Sequence, residues 1–156
     1  MQLRTKFVPA LIAAFLVLAP ACALAVDEPT PSISADHAAG RKAIEARDWN
    51  SAIKSLTSAA QRDSRNADIQ NLLGYAYRNS GQLEPAFKHY QRALQLDSRH
   101  LGAHEYIGEA YLMANNPAKA EEHLAQLKRY CSTAVCEQHE DLRKKIETYR
   151  ARTSAK

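Results

Sequence analysis

The chain is poor in aromatic residues (7%), glycine (5) and cysteine (3), and it has a single tryptophan. Valine and isoleucine are sparse beside alanine, which disfavours sheet and favours helix. No Gly-rich phosphate loop is present, no Gly-x-Ser-x-Gly and no His-Glu-x-x-His, so the common phosphate, serine-hydrolase and zinc-protease motifs are excluded. The cysteines are not spaced Cys-x-x-Cys and no βαβ pattern surrounds them, which argues against a thioredoxin-like dithiol. No basic run carries interleaved aromatics, so nothing marks a nucleic-acid surface. The sequence therefore predicts no catalytic residues, no cofactor and no metal.

What is present fits one globular domain of ordinary composition, 46% hydrophobic and 24% charged over 156 residues. It is preceded by an export signal. Arg4 and Lys6 form a positive start, Phe7 to Leu18 is an almost unbroken apolar stretch, and Ala23-Leu24-Ala25 places small residues where a signal peptidase reads them. The pattern predicts cleavage after Ala25 and a periplasmic or secreted protein. Two other readings stand beside it. Cys22 follows Leu18-Ala19-Pro20-Ala21, so it is a lipidation site in a poor lipobox. An uncleaved anchor is opposed by Pro9, Pro20 and an apolar core shorter than the roughly 20 residues of a membrane span. The formal charge of +4 includes Arg4 and Lys6. Their removal leaves a mature chain too close to neutral to imply an anionic partner, and with no direct membrane insertion. Loss of Cys22 leaves Cys131 and Cys136, an even count that in an exported protein suggests a disulfide.

The strongest signal is a repeat. Gly40, Gly74 and Gly108 recur at one interval of 34 residues, as do Ala52, Ala86 and Ala120. Leu56, Tyr90 and Leu124 form a third column, Ala59, Ala93 and Leu127 a fourth, and Ala43, Tyr77 and Tyr111 a fifth. Spacings of three and four put these residues on one face of each helix. Each unit is then an antiparallel helix pair, A and B, that cannot bury its apolar stripe alone. Gly74 and Ala86 mark close helix crossings; Tyr77, Tyr90 and Ala93 fill the space between one pair and the next. Asn79-Ser80-Gly81 is a helix stop, and Asn116 caps a helix that has Pro117 at its first position. The predicted helices lie near 35–47, 50–62, 67–79, 83–96, 101–114 and 117–130.

Asn71-Leu72-Leu73-Gly74-Tyr75-Ala76-Tyr77, then Gly81, Ala86, Phe87, Tyr90 and Ala93, closely resembles the tetratricopeptide-repeat (TPR) consensus. The third unit resembles it through Ile107, Gly108, Tyr111, Ala120 and Leu124. The first departs from it: Arg47 stands where glycine is usual and Ala43 where an aromatic is usual. The resemblance covers residues 34–130 and implies an all-α solenoid of three repeats, at 34–66, 67–100 and 101–134. The signal (1–25) and a flexible linker (26–33) precede it, and a capping helix with a basic tail (137–156) follows. In the cap, Leu142, Ile146 and Tyr149 recur at helical spacing. Glu137, Glu140 and Asp141 stand near its start and Arg143, Lys144, Lys145 and Arg150 further on, an order that suits the helix dipole. The basic cluster reads as a solvated outer face. A Cys131–Cys136 bond would fix the angle of this cap; its short loop contributes only about 2 kcal/mol of chain entropy. The Cys-x4-Cys spacing before a Leu/Ile/Tyr helix also resembles the tail of small exported bacterial TPR proteins.

The resemblance implies that ligands lie along the A helices. The A-helix positions outside the packing columns are His37 and Arg41, then Asn71, Tyr75 and Arg78, then Glu105, Tyr106, Glu109 and Met113. They predict a groove running from basic (Arg41, Arg78) to acidic (Glu105, Glu109), in which Glu105 and Glu109 lie exposed and ionised. His100 and His104 are expected as a surface pair. The function expected is a non-enzymatic adaptor in the bacterial periplasm that binds a protein or peptide in this groove. Two alternatives are a structural part of an envelope assembly working through the convex face or the cap, and a thiol–disulfide redox protein using Cys131 and Cys136. Self-association is compatible with all three.

Overall fold

The computed structural model describes residues 35–131 and 136–155. The signal, the linker and Cys22 lie outside the described residues. Within them the chain is all-α: α1 (Ala35–Glu45), α2 (Trp49–Arg62), α3 (Ala67–Asn79), α4 (Leu83–Leu96), α5 (Leu101–Met113), α6 (Pro117–Tyr130) and α7 (Glu137–Ser154). Three antiparallel pairs stack in sequence, and α7 packs on both α5 and α6. Three repeats plus a capping helix account for all seven.

The A helices end alike. Arg47, Gly81 and Asn115 hold φ of 56°, 84° and 58°. Before each, the chain closes the same two bonds, such as Gly81 N–H to the Arg78 carbonyl at 3.0 Å and Gln82 N–H to the Tyr77 carbonyl at 2.9 Å. This is the Schellman stop, in which a left-handed residue satisfies the last carbonyls of the helix. Arg47 takes it without glycine's freedom, so α1 stops at Glu45 rather than at residue 47. The next residue starts the B helix: the Asp48 and Asn116 side chains accept from the N–H groups of Ser51 (3.1 Å) and Lys119 (3.2 Å). Sequence and turn chemistry thus set a tight antiparallel pair three times.

The glycine column sits where helices approach closely, as expected at Gly74. A Cβ on Gly74 would stand 2.5 Å from the Tyr90 ring, and one on Gly108 would stand 2.6 Å from Leu142 of α7. The glycines therefore admit a large buried side chain of a facing helix: Leu56 at Gly40, Tyr90 at Gly74 and Leu142 at Gly108. Tyr90 is fully buried among Ala86, Ile107 and Ala110, and Tyr77 packs on this cluster and on the preceding one of Leu56, Ala59, Ile69 and Leu73. The last cluster joins Ala120 and Leu127 to Leu142 and Ile146, so α7 covers the end of the solenoid. Cys131 and Cys136 are bonded, with Cα atoms 5.8 Å apart, at the turn into α7. Most of the basic residues of α7 are matched. Arg143 reaches Glu140 at 2.7 Å and Glu147 at 2.5 Å, and Arg150 pairs with Glu121.

Candidate functional site

The helices α1, α3, α5 and α7 present one face, and two hollows lie along it. The first, about 400 Å³, is lined by His37, Arg41, Ile44, Glu45, Asp68, Asn71 and Leu72. The second, about 470 Å³, gathers Tyr75, Arg78, Glu105, Tyr106 and Glu109 with Asn79 of α3 and Asp141, Lys144 and Lys145 of α7. Of the groove positions expected from sequence, Met113 alone lines neither; its side chain is 56% exposed at the end of α5.

The second hollow is built on aromatic rings. Tyr75 packs on Tyr106 with centroids 4.9 Å apart and edge-on to Trp49 at 6.1 Å. The Arg78 guanidinium lies over both tyrosines, 5.2 and 5.5 Å from their centroids, a cation–π arrangement. It also donates to Glu109 of the next repeat; the two side chains are 7% and 15% exposed. Burial opposes the Arg78 charge, and the fields of Tyr90 and Glu109 more than offset it, so the guanidinium stays charged. This pair joins α3 to α5. It also corrects the expected basic-to-acidic gradient, because Arg78 and Glu109 neutralise each other inside the groove.

Glu105 corrects a second expectation. It is not an exposed, freely ionised carboxylate: the residue is 9% exposed. Burial, then the fields of Glu109 and Asp141, push its carboxyl up to about 7, with Arg78 pulling the other way. No hydrogen bond or ion pair joins it to another described residue. Burial likewise raises the Tyr106 hydroxyl to about 12. Asn71 is buried at the wall of the first hollow, its Oδ1 without a hydrogen-bond partner, and His37 is buried beside it.

His100 and His104 are not a surface pair. His100 caps α5: its Nδ1 accepts from the Ala103 N–H at 3.1 Å, and its Nε2 meets Asp68 at 3.0 Å. His104 is buried. Its Nε2 donates to the Ser98 carbonyl at 3.1 Å, which leaves Nδ1 to accept from His123 Nδ1 at 2.9 Å. Burial holds both imidazoles below their ordinary range, His123 at about 4. The pair is structural glue between α5 and α6. Among the described residues, no three His, Cys, Asp or Glu side chains are placed to hold a metal, and no helix is long and apolar enough to cross a membrane.

α7, expected only as a cap with a solvated basic face, also lines the second hollow through Asp141, Lys144 and Lys145. Asp141 and Lys144 sit three apart, as Tyr106 and Glu109 do, and Leu142 and Ile146 repeat the spacing of Ile107 and Tyr111. Such spacings occur on any helix face and carry no repeat signal of their own.

Comparison with known proteins agrees with this architecture. A family model described as tetratricopeptide repeat matches residues 37–100. The Drosophila melanogaster protein O-mannosyl-transferase Tmtc3 is 30% identical over 81 residues, 52% of this chain but 9% of that protein. The human TMTC3 is 32% identical over 75 residues, 48% of this chain and 8% of the relative. The chain thus spans under a tenth of these relatives. Among solved structures, the Sgt2 TPR domain from Aspergillus fumigatus superposes with a TM-score of 0.69 at 21% identity, covering 81% of this chain and 82% of that one. The TPR2B domain of yeast Sti1, in a pHsp70 complex, gives 0.69 at 15% identity over 75% and 94%. The Yersinia enterocolitica type III secretion translocator chaperone SycD gives 0.68 at 15% over 76% and 83%. Residues 37–100 match the tetratricopeptide-repeat family model, and the described helices form an all-α solenoid with the fold of these TPR structures.

Proposed function

We propose that this chain is an exported, non-enzymatic adaptor that holds an extended segment of a partner protein along the face of α1, α3, α5 and α7. One observation carries the reading. Tyr75, Arg78, Glu105, Tyr106 and Glu109, from two successive repeats, converge with α7 on a single hollow of about 470 Å³. Rigid aromatic walls with a few fixed polar groups suit a peptide, because rings give contact area at low entropic cost. The neighbouring hollow, with Asn71 at its wall, extends the track along the chain of the ligand. The TPR fold is an interaction module, and its solved relatives include a domain in a pHsp70 complex. Export rests on Arg4, Lys6, the apolar stretch to Leu18 and Ala23-Leu24-Ala25.

Affinity capture from a bacterial envelope extract tests the binding surface. Tyr75→Ala should lose the captured partner while Lys88→Ala on exposed α4 keeps it; equal capture by both removes the groove from the account. Mass spectrometry of the mature N-terminus tests export. The expected product begins at Val26, and an unprocessed Met1 or a lipidated Cys22 contradicts it.

A further inference from the structure

We propose that the hollow between α3, α5 and α7 is a subsite for a cationic side chain, Lys or Arg, of the bound segment, with Glu105 as its counter-ion. The inference deepens the adaptor reading and rests on it for the identity of the ligand as a protein segment.

Glu105 lines the hollow, is more than nine-tenths buried, and has no hydrogen-bond or ion-pair partner among the described residues. A carboxylate in that position is costly unless a cation or a proton joins it. Its surroundings decide which sign it accepts. From α5, Glu109 adds negative charge, and from α7, Asp141 and Glu137 do the same. The opposing cations are largely committed: Arg78 of α3 is bonded to Glu109, and Lys144 reaches Asp141 at 3.8 Å. Lys145 remains at the rim. The rings of Tyr75 and Tyr106 wall the hollow and already hold the Arg78 guanidinium over them. With Glu109 paired to Arg78 and Asp141 to Lys144, Glu105 is the carboxylate of the lining left without a cation, and a guanidinium or ammonium of the ligand would supply one.

The linkage follows from the same geometry. With its carboxyl titrating near 7 in the empty hollow, Glu105 must give up its proton when the cation arrives. Binding then tightens by about tenfold from pH 6 to pH 8, the ratio of the ionised fractions.

The test uses N-acetyl-arginine amide and N-acetyl-lysine amide, with neutral N-acetyl-citrulline amide as the isostere, followed by NMR on the whole protein. The cationic compounds should shift the ring signals of Tyr75 and Tyr106 saturably and bind at least tenfold tighter than citrulline amide. They should bind tighter at pH 8 than at pH 6, and should lower the titration midpoint of the Glu105 side-chain carbon. Glu105→Gln, an isostere, should erase the preference over citrulline. Equal binding of arginine and citrulline amides overturns the subsite, as does an unmoved Glu105 midpoint or an unchanged preference in the variant. The small probes report on the hollow whether or not the partner uses it. A cation-blind hollow in a protein whose partner still depends on Tyr75 refutes the subsite alone; cation binding without that dependence refutes the adaptor groove alone.

Discussion

Glu105→Gln should make the protein more stable in mild alkali. An acid whose folded pKa is raised contributes stability that is present below the unfolded value and lost as pH rises through the folded value. For Glu105 that window runs from the ordinary 4.5 to about 7. The difference sets a ceiling of about 3 kcal/mol above pH 8, at 1.36 kcal/mol per pKa unit. Gln keeps the shape and hydrogen-bonding capacity but carries no charge, so the variant should gain about 1–3 kcal/mol at pH 8.5 and almost nothing at pH 4.5. Urea unfolding at the two pH values measures this directly. A variant equal to or weaker than the parent at pH 8.5 would refute the claim that an unpaired carboxylate is held in the hollow. A stabilised variant that binds its partner less well identifies Glu105 as a residue kept at a cost to the fold.

The buried ion pair gives a second prediction: Arg78→Met should cost about 3 kcal/mol by leaving Glu109 unpaired beside Glu105, and Arg78→Met with Glu109→Leu should recover most of it. Additive losses in that double-mutant cycle would show the pair does not act as one unit. Arg47 occupies a left-handed turn position, so Arg47→Gly should stabilise by about 0.5–1 kcal/mol; a lower melting temperature contradicts the shared Schellman stop. The His104–His123 pair is neutral in the fold, and a base with a lowered folded pKa loses stability as pH falls from the unfolded 6.5 toward the folded value, about 4 for His123. The urea midpoint should therefore drop between pH 7 and pH 5 by an amount that His123→Gln reduces, worth about 2 kcal/mol at pH 5; an identical drop in the variant would place the titration elsewhere.

The fold was legible because its packing repeats. The alanine column is buried in all three repeats, and the glycines seat Leu56 and Tyr90 in the first two, so the repeated residues follow repeated packing. Turns were less legible where chemistry substitutes for residue type: Arg47 and Asn115 adopt the conformation of Gly81, so only the position repeats. The candidate site divides the same way. Sequence placed its A-helix residues on one face, because helical spacing fixes direction. It misjudged their exposure, because burial of Arg78, Glu105 and His104 depends on neighbouring helices. None of these contacts is local in sequence. The role of α7 in the hollow depends on how the cap packs against α5, which no column of the 34-residue frame records.

The central claim is that the face of α1, α3, α5 and α7 is the working surface. Site-specific photo-crosslinking in the intact cell tests it most directly, with the crosslinker replacing Tyr75 in the groove or Lys88 on exposed α4. The account predicts a discrete adduct from position 75, diminished when Glu105→Gln is present, and none from position 88. Adducts from position 88 with none from 75 would contradict it and move the interaction to the convex side.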